Sequence, residues 1–461
     1  MAFTFSAINL GCSKNLVDLE FAIGEILKYS DRTPIEYYDN PEDPEVDHVI
    51  VNTCGFLSSA REESEETLRY YDSLGKKLIL MGCYVSVKDD AFLASLKNLV
   101  SVVPFVSYSI IEELLFGKKS KLDMSALVRA KVAAKQAKEK KLSDYLASIG
   151  WNQRGKQAFV WKWDEVRAYI HAPFGYEYLK IAEWCDNSCT FCIIPQIRGK
   201  QTSRKMEDII KEVHSMLANG IREIQIISQD TTRYGTDIYD EARLFDLLEQ
   251  IDAIPGDFKV RLYYLYPDIL TLDHLKRLKK LTKLLPYFDI PFQHSSEKIL
   301  KLMGRHYDRA HIESFLDFIR SEFPNSFIRT SFIIGFPWET KEDFDDLIKF
   351  IERYQFESVG IFQYHDEPLA ASSKLPNKVD ESIAKERIQA ITVVLNEVYK
   401  KHYALAQKTP QTGYVMNIEG KKITVRREIQ APEVDEYDEI TEKQIQSGEE
   451  LDIGARITYS L

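Results

Sequence analysis

Three cysteines stand inside eight residues, Cys185-Asp186-Asn187-Ser188-Cys189-Thr190-Phe191-Cys192, directly after the apolar run Tyr178 to Ala182. Three thiolates can hold three irons of a cubic four-iron, four-sulfur (4Fe-4S) cluster and leave the fourth iron without a protein ligand. That open iron is where chemistry can happen. Two blander uses compete. A disulfide strands the third thiol, in a chain that otherwise reads as cytosolic. Zinc wants a fourth protein ligand, usually a second Cys-x-x-Cys or a paired histidine, and none lies near in sequence.

The other three cysteines share a repeated context. Cys12 follows Phe5 to Gly11, Cys54 follows His48 to Thr53, and Cys83 follows Leu78 to Gly82. Each run is short, apolar and β-prone, and helical patterns at Leu16 to Tyr29 and Ala60 to Leu74 fill the gaps. Strands alternating with helices build a parallel sheet, whose ligand crevice lies at the carboxyl ends of its strands. A buried structural thiol is the ordinary reading of any one of these cysteines. Three at three such ends should converge, and they favour a second 4Fe-4S cluster.

The elements around these thiols set the wider frame. A length of 461 residues suggests about three domains, and 44% apolar residues suit buried cores. The net charge of -11 argues against a protein that coats nucleic acid and favours a basic partner. No leader pattern opens the chain and no run reaches the length of a membrane span, so the expected location is cytoplasmic, with no membrane partner. From Tyr178 onward the pattern predicts strands at Tyr178–Ala182, Glu223–Ser228, Lys259–Leu265, Tyr287–Pro291, Phe327–Ile334 and Ser358–Tyr364, with helices between them. Six repeats fit a partial barrel with ligands at its carboxyl ends. Ser228, Gln229, Asp230, Gln293, His294 and Arg329 become binding candidates there, each equally suited to a structural hydrogen bond. A last helix, Glu381 to Leu405, leads to short β-prone runs that suggest a small barrel.

Lys118 to Lys141 carries nine basic residues against Asp123 and Glu139 in an Ala-rich stretch without Gly or Pro, and predicts a helix. A solvated linker is its ordinary reading and a phosphate contact with ribosomal RNA the functional one. Trp151, Trp161 and Trp163 follow it and predict packing on a domain.

The spacing of Cys185, Cys189 and Cys192, with Phe191 before the last, resembles the signature of radical S-adenosylmethionine (SAM) enzymes. Asn9-Leu10-Gly11-Cys12-Ser13-Lys14-Asn15-Leu16-Val17-Asp18, with Cys54 and Cys83, looks like the N-terminal domain of the methylthiotransferases within that group, and Ser13-Lys14-Asn15 is similar to their ribosomal-protein branch, the RimO type. The likeness continues through Ile226 to Thr231, Asp289 to His294 and Phe332 to Pro337, and spares only the basic insertion. It implies an α/β fold: an N-terminal parallel-sheet domain at 1–117, the insertion and linker at 118–175, a partial (β/α)6 radical SAM barrel at 176–407, and a small all-β TRAM-like barrel at 408–461.

The resemblance also implies the chemistry. Cys185, Cys189 and Cys192 are the expected catalytic cluster ligands, Cys12, Cys54 and Cys83 the ligands of the second 4Fe-4S cluster, and Phe191, Gln229, Gln293 and Arg329 the expected SAM contacts. Cleavage of SAM gives a radical that takes hydrogen from the β-carbon of an aspartate in small-subunit ribosomal protein twelve, and the second cluster supplies the methylthio group. No side-chain base can remove that hydrogen, so a cofactor must. A low-potential electron donor and a site on or near the ribosome are implied as well. The alternatives are methylthiolation of a tRNA adenosine and a non-catalytic ribosome-associated iron-sulfur protein. Against the tRNA reading, residues 408–461 hold seven basic and eleven acidic residues, a surface that repels RNA and attracts a basic protein. Trp184 and Trp338 stand where the family commonly has Gly, and two bulky rings there are expected to narrow the cofactor pocket.

Overall fold

The computed structural model describes residues 2–27, 33–103, 111–117, 151–154, 160–161 and 167–461. At the N-terminus, β1 (Phe3–Asn9), α1 (Ser13–Leu27), β2 (Ile35–Tyr38), β3 (His48–Thr53), α2 (Ser58–Ser73), β4 (Lys77–Gly82), β5 (Leu99–Val102) and β6 (Trp151–Arg154) form one sheet with its helices. The strand order is β5-β4-β3-β1-β2-β6 and every pair is parallel. Because β4, β3 and β1 are neighbours, the chain leaves three adjacent carboxyl ends straight into Cys83, Cys54 and Cys12. β6 was not expected. The sheet takes its last strand from the segment assigned to the linker, as the chain returns to the edge of β2 after the insertion. The stretch Lys118 to Lys141 and Trp163 lie outside the described residues.

Twelve of the fifteen residues of α1 are buried, among them Lys14, Asn15, Asp18 and Glu20. An amphipathic helix on a sheet would bury one stripe. This one is covered on both sides, by its own sheet and by the first strand of the barrel, so polar residues are enclosed where the two domains meet.

The central domain runs β7 (Tyr176–Lys180), α3 (Met206–Ala218), β8 (Glu223–Ile227), α4 (Leu244–Asp252), β9 (Lys259–Leu262), α5 (Leu272–Leu278), β10 (Tyr287–Asp289), α6 (Arg309–Glu322), β11 (Phe327–Ile334), α7 (Lys341–Tyr354) and β12 (Ser358–Gln363). β7, β8 and β9 pair in parallel, as do β10, β11 and β12, and β9 packs beside β10. The result is a six-stranded open barrel with its apolar core between strands and helices. α7 shows how the sequence writes these helices. Thr340 caps it reciprocally with Asp343, and Phe344, Leu347, Phe350, Ile351 and Tyr354 fall on its buried face.

The first barrel strand sits two residues earlier than expected. Ala182–Glu183 pairs instead with Thr202–Ser203, antiparallel, and this small ribbon carries the cysteine loop away from the barrel rim. α8 (Glu381–Ala406) leads to β13 (Gln411–Glu419), β14 (Lys422–Arg427), β15 (Asp438–Ile440), β16 (Ile445–Gly448) and β17 (Arg456–Tyr459). These make a five-stranded antiparallel sheet in the order β15-β14-β13-β17-β16. Among the described residues no helix is long and apolar enough to cross a membrane.

Candidate active site

The Cys185–Cys192 loop follows β7 and is tied down from several elements. Asn187 donates to Asp230 (2.7 Å) and accepts from Arg233 (3.0 Å). Thr190 donates its N–H to Met303 O (3.0 Å) and its hydroxyl to Leu302 O (2.8 Å). Gly304 has φ 72°, and a Cβ there would lie 2.6 Å from Ser188 O, so only glycine lets the barrel approach this loop. The Asn187 and Ile194 N–H groups donate to Cys185 and Cys192 Sγ, both at 3.4 Å, and Tyr266 Oη lies 3.6 Å from Cys189 Sγ. Burial, then the nearby charges of Asp230 and Cys189, push the Cys185 thiol up to about 11; burial pushes Cys192 up to about 12. Such thiols ionise only when a cation replaces their protons. All three are free of disulfides. Three converging thiols with N–H donors on two of the sulfurs fit a cluster bound through three irons.

The second trio converges too. Asn15 Oδ1 lies 3.5 Å from Cys12 Sγ, Asn15 Nδ2 lies 3.4 Å from Cys83 Sγ, and Nδ2 also donates to Thr53 O beside Cys54 (3.0 Å). Gly82, with φ 95°, passes so close to Thr53 that a Cβ would strike its carbonyl. The thiols sense one another electrostatically. Crowding by the surrounding protein pushes the Cys12 thiol up, but the charges of Lys14 and Arg198 outweigh it and hold the thiol below its ordinary value. Burial raises Cys54 and Cys83. These residues also fit a cluster held by three cysteines.

Arg198 joins the two trios. It stands six residues after Cys192, at the end of the short helix Ile194–Ile197, and its Nη2 lies 2.8 Å from Cys83 Sγ. Ile193 and Ile197 pack against Cys83. Around Arg198 lie Glu183, and Lys180 bonded to both Asp18 and Glu183, a buried ion network that crosses the domain boundary.

The expected SAM contacts fall in different places. Gln229 follows β8, and both polar atoms of its side chain are buried without a hydrogen-bond partner, as is Ser228 Oγ. Phe191 packs with Ile299, Met303, Ile333 and Phe336. Gln293 holds the left-handed φ of 71° while its backbone bonds Ser331 and Ile333. Arg329 lies near the start of β11 rather than at its carboxyl end, and its Nη1 is 2.7 Å from Asp289. Asp230 serves the cysteine loop. His294 is fully buried, accepts from Ser296 N (2.9 Å), and its Nε2 is 3.7 Å from Glu339.

Arg305 escaped the sequence reading. It is 5% exposed, its guanidinium sits 4.3 Å from the Tyr266 ring and 5.7 Å from that of Phe191, and its Nε and Nη1 have no partner among the described residues. Trp184 and Trp338 have φ of 66° and 71°, which explains why glycine suits both positions. Trp338 is 44% exposed, so its ring points to solvent instead of narrowing the pocket.

Comparison with known proteins agrees with this geometry. The family described as the radical SAM superfamily matches residues 179–351, and the uncharacterized protein family UPF0004 matches residues 4–104. A Clostridioides difficile protein named ribosomal protein uS12 methylthiotransferase RimO is 34% identical, covering 98% of this chain and 98% of its own. The protein of the same name from Dictyoglomus thermophilum is 36% identical over 93% of this chain and 90% of its own. The radical SAM methyltransferase TsrM from Kitasatospora setae, solved with cobalamin and a [4Fe-4S] cluster, is 12% identical and covers 81% of this chain and 74% of its own at a TM-score of 0.54, which shows the shared fold. By identity over nearly its whole length, this chain belongs to the ribosomal protein uS12 methylthiotransferase RimO family.

Proposed function

We propose that this chain transfers a methylthio group to the β-carbon of an aspartate in ribosomal protein uS12, using two 4Fe-4S clusters held by Cys185, Cys189 and Cys192 and by Cys12, Cys54 and Cys83. Family membership brings an iron-sulfur cluster and SAM as cofactors. The observation that carries the two-cluster reading is the approach of the segment after the first trio to the second, where Arg198, six residues after Cys192, lies on Cys83. When bound, the cluster on Cys185, Cys189 and Cys192 would supply the electron for reductive cleavage of SAM, and the one on Cys12, Cys54 and Cys83 would supply the sulfur for the methylthio group.

The protein's own groups do the rest. Asn187, Asp230 and Arg233 fix the loop that carries the first trio. Arg305, with two unpaired N–H directions and its guanidinium over the Tyr266 ring and near Phe191, offers a charged hydrogen bond to the carboxylate of SAM, and Gln229 is a further proposed polar contact at the end of β8. Gln293 is the last proposed contact, and Arg329, near the start of β11, serves Asp289 instead. The clasp of Glu367 on Ser58 and Arg61 holds the N-terminal domain against the barrel. A low-potential donor must deliver the electrons, and uS12 is met on or near the ribosome.

Reconstitution tests this. Protein loaded with iron and sulfide, reduced and given SAM, is expected to add one methylthio group to a single aspartate of unmodified uS12, read by intact mass and peptide mapping. The variant with Cys12, Cys54 and Cys83 replaced by Ala is expected to hold about half the iron, to release 5'-deoxyadenosine, and to form no methylthiolated uS12. Full iron in that variant would remove the second cluster. A methylthio nucleoside in tRNA, with uS12 unchanged, would move the substrate to RNA.

A further inference from the structure

Lys14 differs from the other cations of the crevice. It stands two residues after Cys12, is 8% exposed, and no carboxylate pairs with it among the described residues. Besides the Cys12 thiol on which its charge acts, its ammonium has two neighbours. Nζ is 3.6 Å above the centre of the Tyr264 ring and 3.5 Å from Ser228 O, the second at the outer edge of a hydrogen bond. Lys180, by contrast, is met by Asp18 and Glu183, and Arg198 by Glu183 and Cys83. An ammonium withdrawn from water, which shares its charge with the nearby Cys12 thiol and otherwise meets only a ring and a distant carbonyl, has no carboxylate of its own among the described residues and is poised for one.

The floor beneath it is built at a cost. Tyr264 holds a left-handed φ of 57°, fixed by its N–H on Asp289 (3.0 Å) and by Thr231, whose N–H donates to its carbonyl (3.2 Å). A strained aromatic locked from both sides under a cation is a feature the fold maintains for a purpose. Ser228, 1% exposed, has a hydroxyl without a partner, and the next residue, Gln229, has a free amide. Two domains thus bring a cation and neutral donors together, two residues after Cys12 on one side and two residues before Asp230, which holds the Cys185 loop, on the other.

We propose that Lys14, seated over Tyr264 and beside Ser228 and Gln229, binds the side-chain carboxylate of the substrate aspartate and is the residue that makes the enzyme require an acid there. The inference rests on the function proposed above. The carboxylate is one bond from the reacting carbon, so a charged hydrogen bond to it fixes that carbon between the two trios. An asparagine amide in the same seat can accept a hydrogen bond but brings no counter-charge and turns NH2 donors toward the ammonium, a mismatch that a buried charge disfavours.

The test compares unmodified uS12 with a uS12 variant carrying asparagine at the target position, on the reconstituted enzyme, by equilibrium binding and by kcat/KM. Wild-type enzyme is expected to prefer the aspartyl protein by about tenfold or more. In Lys14→Met that ratio is expected to fall to about one, and in Lys14→Arg to be largely restored. The ratio cancels any general loss of folding or activity. A Lys14→Met enzyme that keeps the wild-type preference overturns the assignment. So does one whose only change is in the potential of the Cys12, Cys54 and Cys83 cluster, since Lys14 then serves the thiolates and not the substrate. A wild-type enzyme that leaves both uS12 proteins unmodified overturns the function itself.

Discussion

Trp338 holds a left-handed backbone, at a cost of about 1 to 2 kcal/mol for a residue with a Cβ, yet its ring is 44% exposed and returns little by burial. Replacing it by Gly removes the strain and adds about 0.5 to 1 kcal/mol of unfolded-state entropy. Relief of strain is opposed by that entropy and by loss of the covered part of the ring, so Trp338→Gly is expected to change stability by no more than about 1 kcal/mol in either direction, measured as a denaturant midpoint. A fall of more than about 1 kcal/mol would show that the ring has a contact worth more than its strain. Trp184 differs, because its ring lies 3.9 Å from where a Cβ on Gly199 would stand and its Nε1 is buried. Single residues were legible in unequal measure. The cysteines were plain, because a thiol announces its chemistry by type and spacing. Lys14, Arg198 and Arg305 were not, since what marks them is the absence or identity of a partner from another domain. Arg329 was counted among strand-end residues although the expected strand, Phe327–Ile334, already placed it near the start, where the structure has it.

α2 begins without a side-chain cap of its own, for the residue before it is Leu57. The missing acceptor comes from the barrel. Glu367 takes the Ser58 N–H at 2.7 Å, the Ser58 hydroxyl at 2.9 Å and Arg61 at 2.9 Å, with 4% of its surface exposed. A carboxylate at a helix N-terminus is favoured by the free N–H groups and the helix dipole. Burial pushes this carboxyl up, but Arg61 and Ser58 outweigh it and hold it below its ordinary value. Capping in trans makes α2 part of the domain contact. Glu367→Ala is therefore expected to destabilise that contact by about 1 to 3 kcal/mol and to lower methylthiolated product per SAM cleaved, while Glu367→Gln recovers part of it. An unchanged product ratio would mean that the clasp does not govern transfer. The sequence showed α2 within two residues at each end and had no means to show its cap. β6 was hidden for a related reason: a strand returning after a long excursion carries no local sign of its partner. The acidic balance at 408–461 also reads differently in place, since Glu433 bonds His171, Tyr176 and Tyr178 while Asp435 bonds Tyr287, so that two of the counted charges are engaged by the rest of the chain.

At the scale of the molecule, buried charges bind the domains into one body. Arg167 is fully buried among Glu20 of α1, Glu177 of β7 and Glu212 of α3, at 2.6 to 3.3 Å. Glu20, His171 and Glu177 have the spacing of a metal site, but the guanidinium already supplies the positive charge there. His171 continues the network to the C-terminal sheet, with Nδ1 3.6 Å from Glu177 and Nε2 2.7 Å from Glu433. Burial pushes the imidazole down, and the two carboxylates outweigh it and raise it to about 10. Its folded value thus lies above the unfolded one of about 6.5. The stabilisation this gives is complete below pH about 6.5, declines as pH rises, and is gone above about 10. Glu20, whose burial outweighs Arg167 and raises it to about 8, works in the same direction, because its proton is held more tightly in the folded state. Denaturant stability is accordingly expected to fall between pH about 6.5 and 10, by an amount on the order of a few kcal/mol. His171→Gln is expected to be less stable at pH 6 and to show a shallower alkaline decline, so that the two curves converge toward pH 10. Parallel curves would mean that the imidazole is neutral in the folded protein and that the C-terminal sheet is held by its tyrosines and arginines alone.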